Sequence, residues 1–417
     1  MAPSATTTEK RGEAGQRGGT VSRTYPFSEA EKLDLDPLYA QLRKQEPLTR
    51  IQLPYGETAW LATRYEDAKV VLGDPRFSRA AVLHHDEPRM RPNTSNGGLL
   101  TMDPPEHTRL RKLVAKAFTA RRVERLRPRA EEIADDLVDG MLQRGAPADL
   151  VEDFALPLPI TVICELLGVP YADRADFRVW SEAFLSTTKL TPEQVTDYMD
   201  RMLDYMAGLI AERRAEPADD LLTALIEARD EQDKLSEEEL VRLAAGILVA
   251  GHETTATQIP NFVYVLLTHP EQLAALRADL DGIPQAVEEL LRFVPLGSGA
   301  GFPRYATEDV ELGGVLVRAG EPVMVSTAAA NRDESVFSDP ELLDLTRQEA
   351  THIGFGHGPH HCLGAQLARM ELQVALRTLL TRLPGLRFAT SAEDVEWKSG
   401  MLVRGPRKML LAWQGVE

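Results

Sequence analysis

Hydrophobic positions along the chain recur mostly at helical spacing. Short amphipathic runs at residues 36–44 and 65–72 read as helices, and residues 49–53 and 59–63 between them read as strands. Residues 78–99 form a long polar stretch containing Asn93-Thr94-Ser95-Asn96-Gly97-Gly98. A loop of that length inside a compact protein is usually functional or disordered. Helical periodicity then dominates from Pro105, a residue suited to a first helical position, to Arg292. The longest predicted element spans residues 236–268. Ser236 and Glu239 form a capping-box pattern at its start. Its apolar content persists for roughly 50 Å at helical rise, which sends it through the centre of the fold. Gly246, Gly251 and Pro260 interrupt it. Inside a helix Gly costs about 1 kcal/mol and Pro about 3, and Pro260 also crowds the Ala256 carbonyl, which predicts a kink. Beyond Arg292, short strands are predicted at Val310–Leu312, Val315–Val317 and residues 322–326. An irregular stretch at 333–353 and a helix at 363–383 follow. With no repeat and no linker between cores, the pattern predicts a mainly α fold with a small β part. It forms one domain over 25–417 behind a disordered tail, 1–24.

Composition narrows the partners. The chain is 43% hydrophobic and 27% charged, the balance of a globular protein. Its net charge of −17 disfavours nucleic-acid binding and anionic membranes. No apolar run has the length of a signal peptide or membrane span, so a cytoplasmic protein is expected. Cys164 and Cys362 are too few for a disulfide framework. Cys164 lies in an apolar stretch and reads as a small buried hydrophobe.

Chemistry concentrates first at Gly354-Phe355-Gly356-His357-Gly358-Pro359-His360-His361-Cys362-Leu363-Gly364. A Gly-rich loop delivers a cysteine to the start of a helix. Glycine lets backbone approach a flat ligand, and the helix N-terminus favours an anionic sulfur. A rival reading is a transition-metal site built from His352, His357, His360, His361 and Cys362. The second cluster is Ala250-Gly251-His252-Glu253-Thr254-Thr255 in the long helix. There Gly251 beside Ala250 opens the surface, Thr254 can bend the backbone and Glu253 supplies an acid. Helical geometry puts Ile247, Gly251 and Thr254 on one stripe and turns His252 away from it, toward packing. Third, Glu289 and Arg292 share a helix face.

Together these motifs resemble the cytochrome P450 family. The block Phe355 to Gly364 matches that family's haem-loop pattern position by position, and the match runs from about Tyr25 to the C-terminus. The resemblance implies the P450 fold, with the long central helix over haem b and Cys362 as the iron ligand in a loop containing Phe355 and Gly356. It implies an oxygen-binding groove at Ala250 and Gly251, with Thr254 lining it and Glu253 helping to deliver protons. It implies a buried Glu289–Arg292 pair. The family's third partner, an Arg in a Pro-x-Arg-Phe segment, is missing here, where Pro340-Glu341-Leu342-Leu343 stands; Arg347 is a substitute. His107, Arg111, Arg304 and His360 are implied partners of the haem carboxylates, which need cations or donors when buried.

The implied reaction is monooxygenation with O2. The chain has no flavin or dinucleotide fingerprint, so electrons come from a ferredoxin and ferredoxin reductase. A basic face of Arg109, Lys112 and Lys116 with Arg121 and Arg122 is the expected dock on what should be a monomer. By family analogy Leu99, Phe184, Ile247, Gly299, Ala300, Met401 and Leu402 line the substrate pocket, the small residues making room for a bulky ligand. The chain is most similar to actinomycete enzymes that hydroxylate or epoxidise macrolide antibiotics. Oxidative coupling of a cyclic peptide or diketopiperazine is the alternative substrate reading, and a haem-binding sensor the non-enzyme one.

Overall fold

The computed structural model describes residues 22–29, 32–94, 97–230, 234–297, 299–349 and 351–414. Its helices are α1 Leu38–Gln45, α2 Tyr65–Gly73, α3 Glu106–Ala115, α4 Ala120–Arg144, α5 Pro157–Leu167, α6 Arg174–Leu185 and α7 Pro192–Ala215. They continue with α8 Leu221–Asp230, α9 Glu237–Thr268, α10 Pro270–Ala278, α11 Ile283–Phe293, α12 Thr327–Ala330 and α13 Ala365–Arg382. The strands are β1 Arg23–Thr24, β2 Leu48–Gln52, β3 Ala59–Ala62, β4 Phe77–Ser78, β5 Ala148–Asp149, β6 Arg304–Ala306 and β7 Val310–Leu312. They continue with β8 Val315–Val317, β9 Pro322–Val325, β10 Arg387–Phe388, β11 Glu396–Trp397, β12 Pro406–Lys408 and β13 Leu410–Ala412.

The main sheet runs β1-β2-β3-β9-β6-β4. Pairing of β3 with β9 is parallel, Trp60 opposite Val323, and β2 with β3 antiparallel. Its two faces bury separate apolar clusters, one around Phe77, Val323 and Phe337 and one around Tyr25, Ile51 and Leu61. The large helical core surrounds α9, which α5, α7 and α13 flank. The capping box holds as expected: the Ser236 hydroxyl accepts from the Glu239 amide, and the Glu239 carboxylate from the Ser236 amide. Pro260 lies inside α9, which runs as one helix from Glu237 to Thr268.

Several boundaries differ from expectation. Arg23 and Thr24, placed in the tail, pair in parallel with Ile51 and Gln52; residues 1–21 lie outside the described residues. Pro105 is the residue before α3 rather than its first. Strand β6 and the four short strands after α13 carry only two or three residues each, too few to show periodicity.

The Glu289–Arg292 pair is buried, with guanidinium-to-carboxylate bonds of 2.7 and 2.8 Å. Arg292 also donates to the carbonyls of Asn331 and Pro340, both at 2.9 Å. Arg347 does take the third place: its Nε lies 3.2 Å from Glu289 Oε2, and its guanidinium also reaches the Ser338 carbonyl. One carboxylate therefore holds two cations and the irregular segment in register. Breaking a buried pair on one side strands the remaining charge. We expect Glu289→Gln to cost about 3–5 kcal/mol in denaturant unfolding.

Candidate active site

The Gly-rich loop is shaped by close approach to α2. A Cβ on Gly358, at φ +69°, would stand 2.5 Å from the Leu72 carbonyl oxygen, so only glycine fits. The Cys362 amide donates to the Phe355 carbonyl at 2.9 Å and closes the loop. Cys362 lies deep in the protein, yet its side chain remains accessible. Burial pushes its thiol pKa up, against the Gly364 amide and the charges of Arg111 and Arg369, which pull it down. The helix begins only at Ala365, with Gly364 before it. Those groups, and not the expected first turn directly at Leu363, stabilise the sulfur.

Phe355 is held from behind. Arg369 lies 4.7 Å over its ring and binds Glu288 at 2.6 and 2.9 Å. Burial would raise the Glu288 pKa, but hydrogen bonds from His352 and Arg369 overcome it and hold it at about 2. His352 Nδ1 accepts from the Gly354 amide at 3.0 Å, which leaves its Nε2 facing Glu288 at 3.1 Å. His357 packs beside Gly73. The rival metal site therefore does not form: among the described residues no group of three His, Cys, Asp or Glu could hold a metal ion.

On α9, Gly246 and Ala250 are exposed and Thr254 half-buried, while Leu243, Ala244, Ala245, Ile247, Leu248 and Val249 are buried. Spacing of four puts Gly246, Ala250 and Thr254 on one line. A Cβ on Gly246 would meet nothing within 4 Å. This corrects the expected stripe. A Cβ on Gly251 would instead strike Ile163 of α5 at 2.7 Å, so Gly251 serves helix packing, and Ile247 is buried. Thr254 donates to the Ala250 carbonyl at 3.1 Å. His252 does turn inward, its Nδ1 2.8 Å from the Leu248 carbonyl.

A third wall is cationic. His107 and His360 lie with ring centroids 4.2 Å apart, and both Nε2 atoms are buried without a partner. Burial, then the charges of His107, Arg304 and Arg79, lowers the His360 pKa to about 3. Arg304 is 7% exposed and has no carboxylate paired with it among the described residues; burial and then Arg79 lower its pKa to about 10. Arg111 donates to the His361 carbonyl. Arg79, which the sequence reading missed, belongs here: it is buried and donates to the carbonyls of Leu100 and Pro303. Orphaned donors and surplus positive charge suit a ligand with anionic arms. An uncovered sulfur and a small-residue helix face suit a flat body with a thiolate-accepting centre.

The expected substrate contacts divide. Phe184, Met401 and Leu402 do meet, with Leu185, Leu296 and Val403, in one small apolar cluster. Leu99 lines a cavity of about 240 Å³ with Met102, Leu110 and Leu243, and with Glu238 and Glu239 on its polar side. Gly299 and Ala300 do not make room. A Cβ on Gly299 would stand 3.3 Å from the Tyr25 ring, and Ala300 packs in the cluster of Tyr25 and Tyr39. Leu83, Leu100 and Phe302 are the exposed apolar side chains nearby that the sequence reading did not single out.

Two acids on or against α9 are deeply buried. Glu253 is 2% exposed, with Lys398 Nζ 3.7 Å from Oε2. Glu371 of α13 is fully buried; Thr255 lies beside it, but neither carboxyl oxygen reaches hydrogen-bonding geometry. Burial therefore raises its pKa well above 4.5 and keeps it protonated. The unfolded chain releases that proton near pH 4.5 while the folded chain retains it, so this site destabilises the fold as pH rises. Glu371→Gln should gain stability relative to wild type between about pH 5 and 8, measured as the difference in Tm.

A sequence profile of the family "Cytochrome P450" matches residues 35–411. The chain is 57% identical to mycinamicin IV hydroxylase/epoxidase of Micromonospora griseorubida over 94% of its length and 98% of the relative's. It is 53% identical to nocardicin C N-oxygenase of Nocardia uniformis subsp. tsuyamanensis, over 94% and 99%. The crystal structure of HinD with NMFT and NO superposes with a TM-score of 0.92 at 51% identity, over 94% of this chain and all of that one.

Proposed function

The chain belongs to the cytochrome P450 family and is a haem-binding monooxygenase; from that premise we propose that it hydroxylates or epoxidises a bulky, macrolide-like secondary metabolite in antibiotic biosynthesis. The observation that carries this reading is the 57% identity, along nearly the whole of both chains, to a hydroxylase/epoxidase of mycinamicin IV. Haem bound through Cys362 supplies the redox chemistry that inserts one atom of O2 into a C–H or C=C bond and reduces the other to water.

The protein's own residues do the rest. Arg304, Arg111, His107 and His360, with Arg79 behind them, compensate the two haem carboxylates. Gly246 and Ala250 keep the helix face open, which adds Gly246 to the expected set. Thr254 places a hydroxyl at the edge of that face, and Glu253 supplies protons beside it. Phe184, Leu296 and Met401 form an apolar wall that orients substrate and excludes water. Glu289 and Arg292 act structurally.

Two electrons must come from a redox partner, and we assign a ferredoxin with its reductase to that role. Lys112, Lys116, Arg121 and Arg122 are exposed at the junction of α3 and α4. Arg109 is exposed too, but its guanidinium is engaged by Glu239 and the Lys234 carbonyl. Among the described residues no helix is long and apolar enough to cross a membrane. We place the enzyme in the cytoplasm as a monomer with a single catalytic domain.

Optical titration of the ferric protein tests the substrate class. A macrolide lactone should move the Soret band toward high spin, and an aromatic cyclic dipeptide should not. The reverse pattern would replace this reading with oxidative coupling of a cyclic peptide. NADPH-driven oxidation of the macrolide with surrogate ferredoxin separates an enzyme from a sensor. Ala250→Phe should leave helix content intact, because Ala250 is exposed, but lower the haem-to-protein ratio severalfold by absorbance.

A further inference from the structure

The acid beside Thr254 is gripped from the far end of the chain. Lys398 Nζ stands 3.7 Å from Glu253 Oε2 and donates to Thr257 Oγ1 at 2.9 Å. Thr257 in turn donates to the Glu253 carbonyl at 2.8 Å. The ammonium is thus located by two groups one turn apart on α9. Other charges near Glu253 are weaker candidates for this task. His252 Nε2 lies 3.9 Å from Oε1, but burial lowers the His252 pKa and keeps the ring neutral. Arg178 of α6 acts on Glu253 only at longer range and is engaged by both oxygens of Glu152 at 2.7 and 2.6 Å. Glu371, on α13, faces Thr255. Among the described residues Lys398 is the charged cation within 4 Å of the Glu253 carboxylate.

Lys398 hangs from a turn fixed at several points. Its amide donates to the Gly405 carbonyl at 2.9 Å. Two residues on, the Gly400 carbonyl accepts the successive amides of Thr187, Thr188 and Lys189 at 2.8, 3.2 and 3.4 Å. Gly400 has φ +64°, and a Cβ there would stand 2.6 Å from Thr188 Oγ1, so the α6–α7 connection closes directly onto the turn. The Leu402 amide donates to the Leu185 carbonyl at 2.8 Å. The segment that completes the apolar wall and the segment that carries Lys398 are therefore one piece.

A buried carboxyl without a counter-charge takes a proton and keeps it. An ammonium within 4 Å favours the ionised form instead. The Lys398 side chain retains 16% exposure against 3% for Glu253, so the cation is the wetter partner. We propose that Lys398 is a positioning residue for proton supply: it holds the Glu253 carboxylate ionised and turned toward the C-terminal turn, ready to accept a proton from solvent. This rests on the reading of Glu253 as the proton-supplying acid.

The test combines infrared difference spectra of the holoenzyme with turnover. Lys398→Gln keeps a donor for Thr257 but removes the charge. At neutral pH it should show a new protonated-carboxyl band that Lys398→Arg lacks and that disappears in the double variant with Glu253→Gln. The protonated Glu371 contributes equally to all and serves as reference. In NADPH-driven oxidation of a macrolide lactone with surrogate ferredoxin, Lys398→Gln should release at least tenfold more H2O2 per product, with an unchanged spin shift on macrolide binding. If Lys398→Gln fails to fold, Lys398→Met is measured in the same way. No Glu253-dependent band in either variant overturns the role of Lys398. If the band appears but Glu253→Gln retains wild-type coupling and pH profile, the hold of Lys398 on Glu253 stands and the proton-supply role of both residues falls.

Discussion

A helix that crosses the middle of a protein is normally covered on every side; α9 is not. One line of its surface, Gly246–Ala250–Thr254, is left uncovered while the side chains around it are buried. The rest of the structure follows from keeping that line open. Small residues are needed there, and Gly246 costs about 1 kcal/mol relative to Ala in a helix. Gly251, one residue past Ala250, is spent differently: it lets α5 come close enough for Ile163 to occupy the place of a side chain. The reciprocal Ser236–Glu239 cap and the extensive burial of the other faces offset these costs.

The second constraint is charge. His107, His360, Arg304 and Arg79 crowd together; burial lowers the pKa of His360 and both arginines, and neighbouring cations lower His360 and Arg304 further. Such a wall destabilises the chain by itself and favours whatever anion binds it, so ligand and fold are thermodynamically linked. Cys362 follows the same logic. Burial raises its thiol pKa, and a metal centre that binds thiolate displaces the proton. The opposite design holds at Glu289, where one carboxylate serves two arginines and the surrounding carbonyls complete the network.

Much of this was legible along the chain. The limits of α9, its cap and the shared face of Glu289 and Arg292 rest on local spacing, while the role of the cysteine loop, the burial of that pair and Arg347 as its third partner came from the family resemblance; α9, its cap and the Glu289–Arg292–Arg347 group have their expected places in the structure. What spacing could not supply was direction. A glycine in a helix reads the same whether it faces open space, as Gly246 does, or a neighbouring helix, as Gly251 does. The small residues Gly299 and Ala300 suggested room and instead accommodate Tyr25 and its cluster. Arg79, Glu371 and Lys398 lie in segments without a motif. Their importance comes from what they meet: a cationic wall, a dry interface and a buried acid.

That last meeting bears on how the two sides of the pocket communicate. The apolar wall is assembled from the end of α6, the stretch after α11 and the turn at 400–403. Glu253, which we propose supplies protons, belongs to α9. The turn touches both, through Gly400 and Leu402 on one side and Lys398 on the other. A bulky ligand that displaced the 187–189 amides from the Gly400 carbonyl would act on a segment only two residues from the ammonium facing Glu253. Because three amides converge on one carbonyl and a Cβ there would collide with Thr188, this junction has little room for intermediate positions. On that proposal, a ligand seated against the apolar wall would reach the Lys398–Glu253 contact through packing, with no need to touch Glu253 itself.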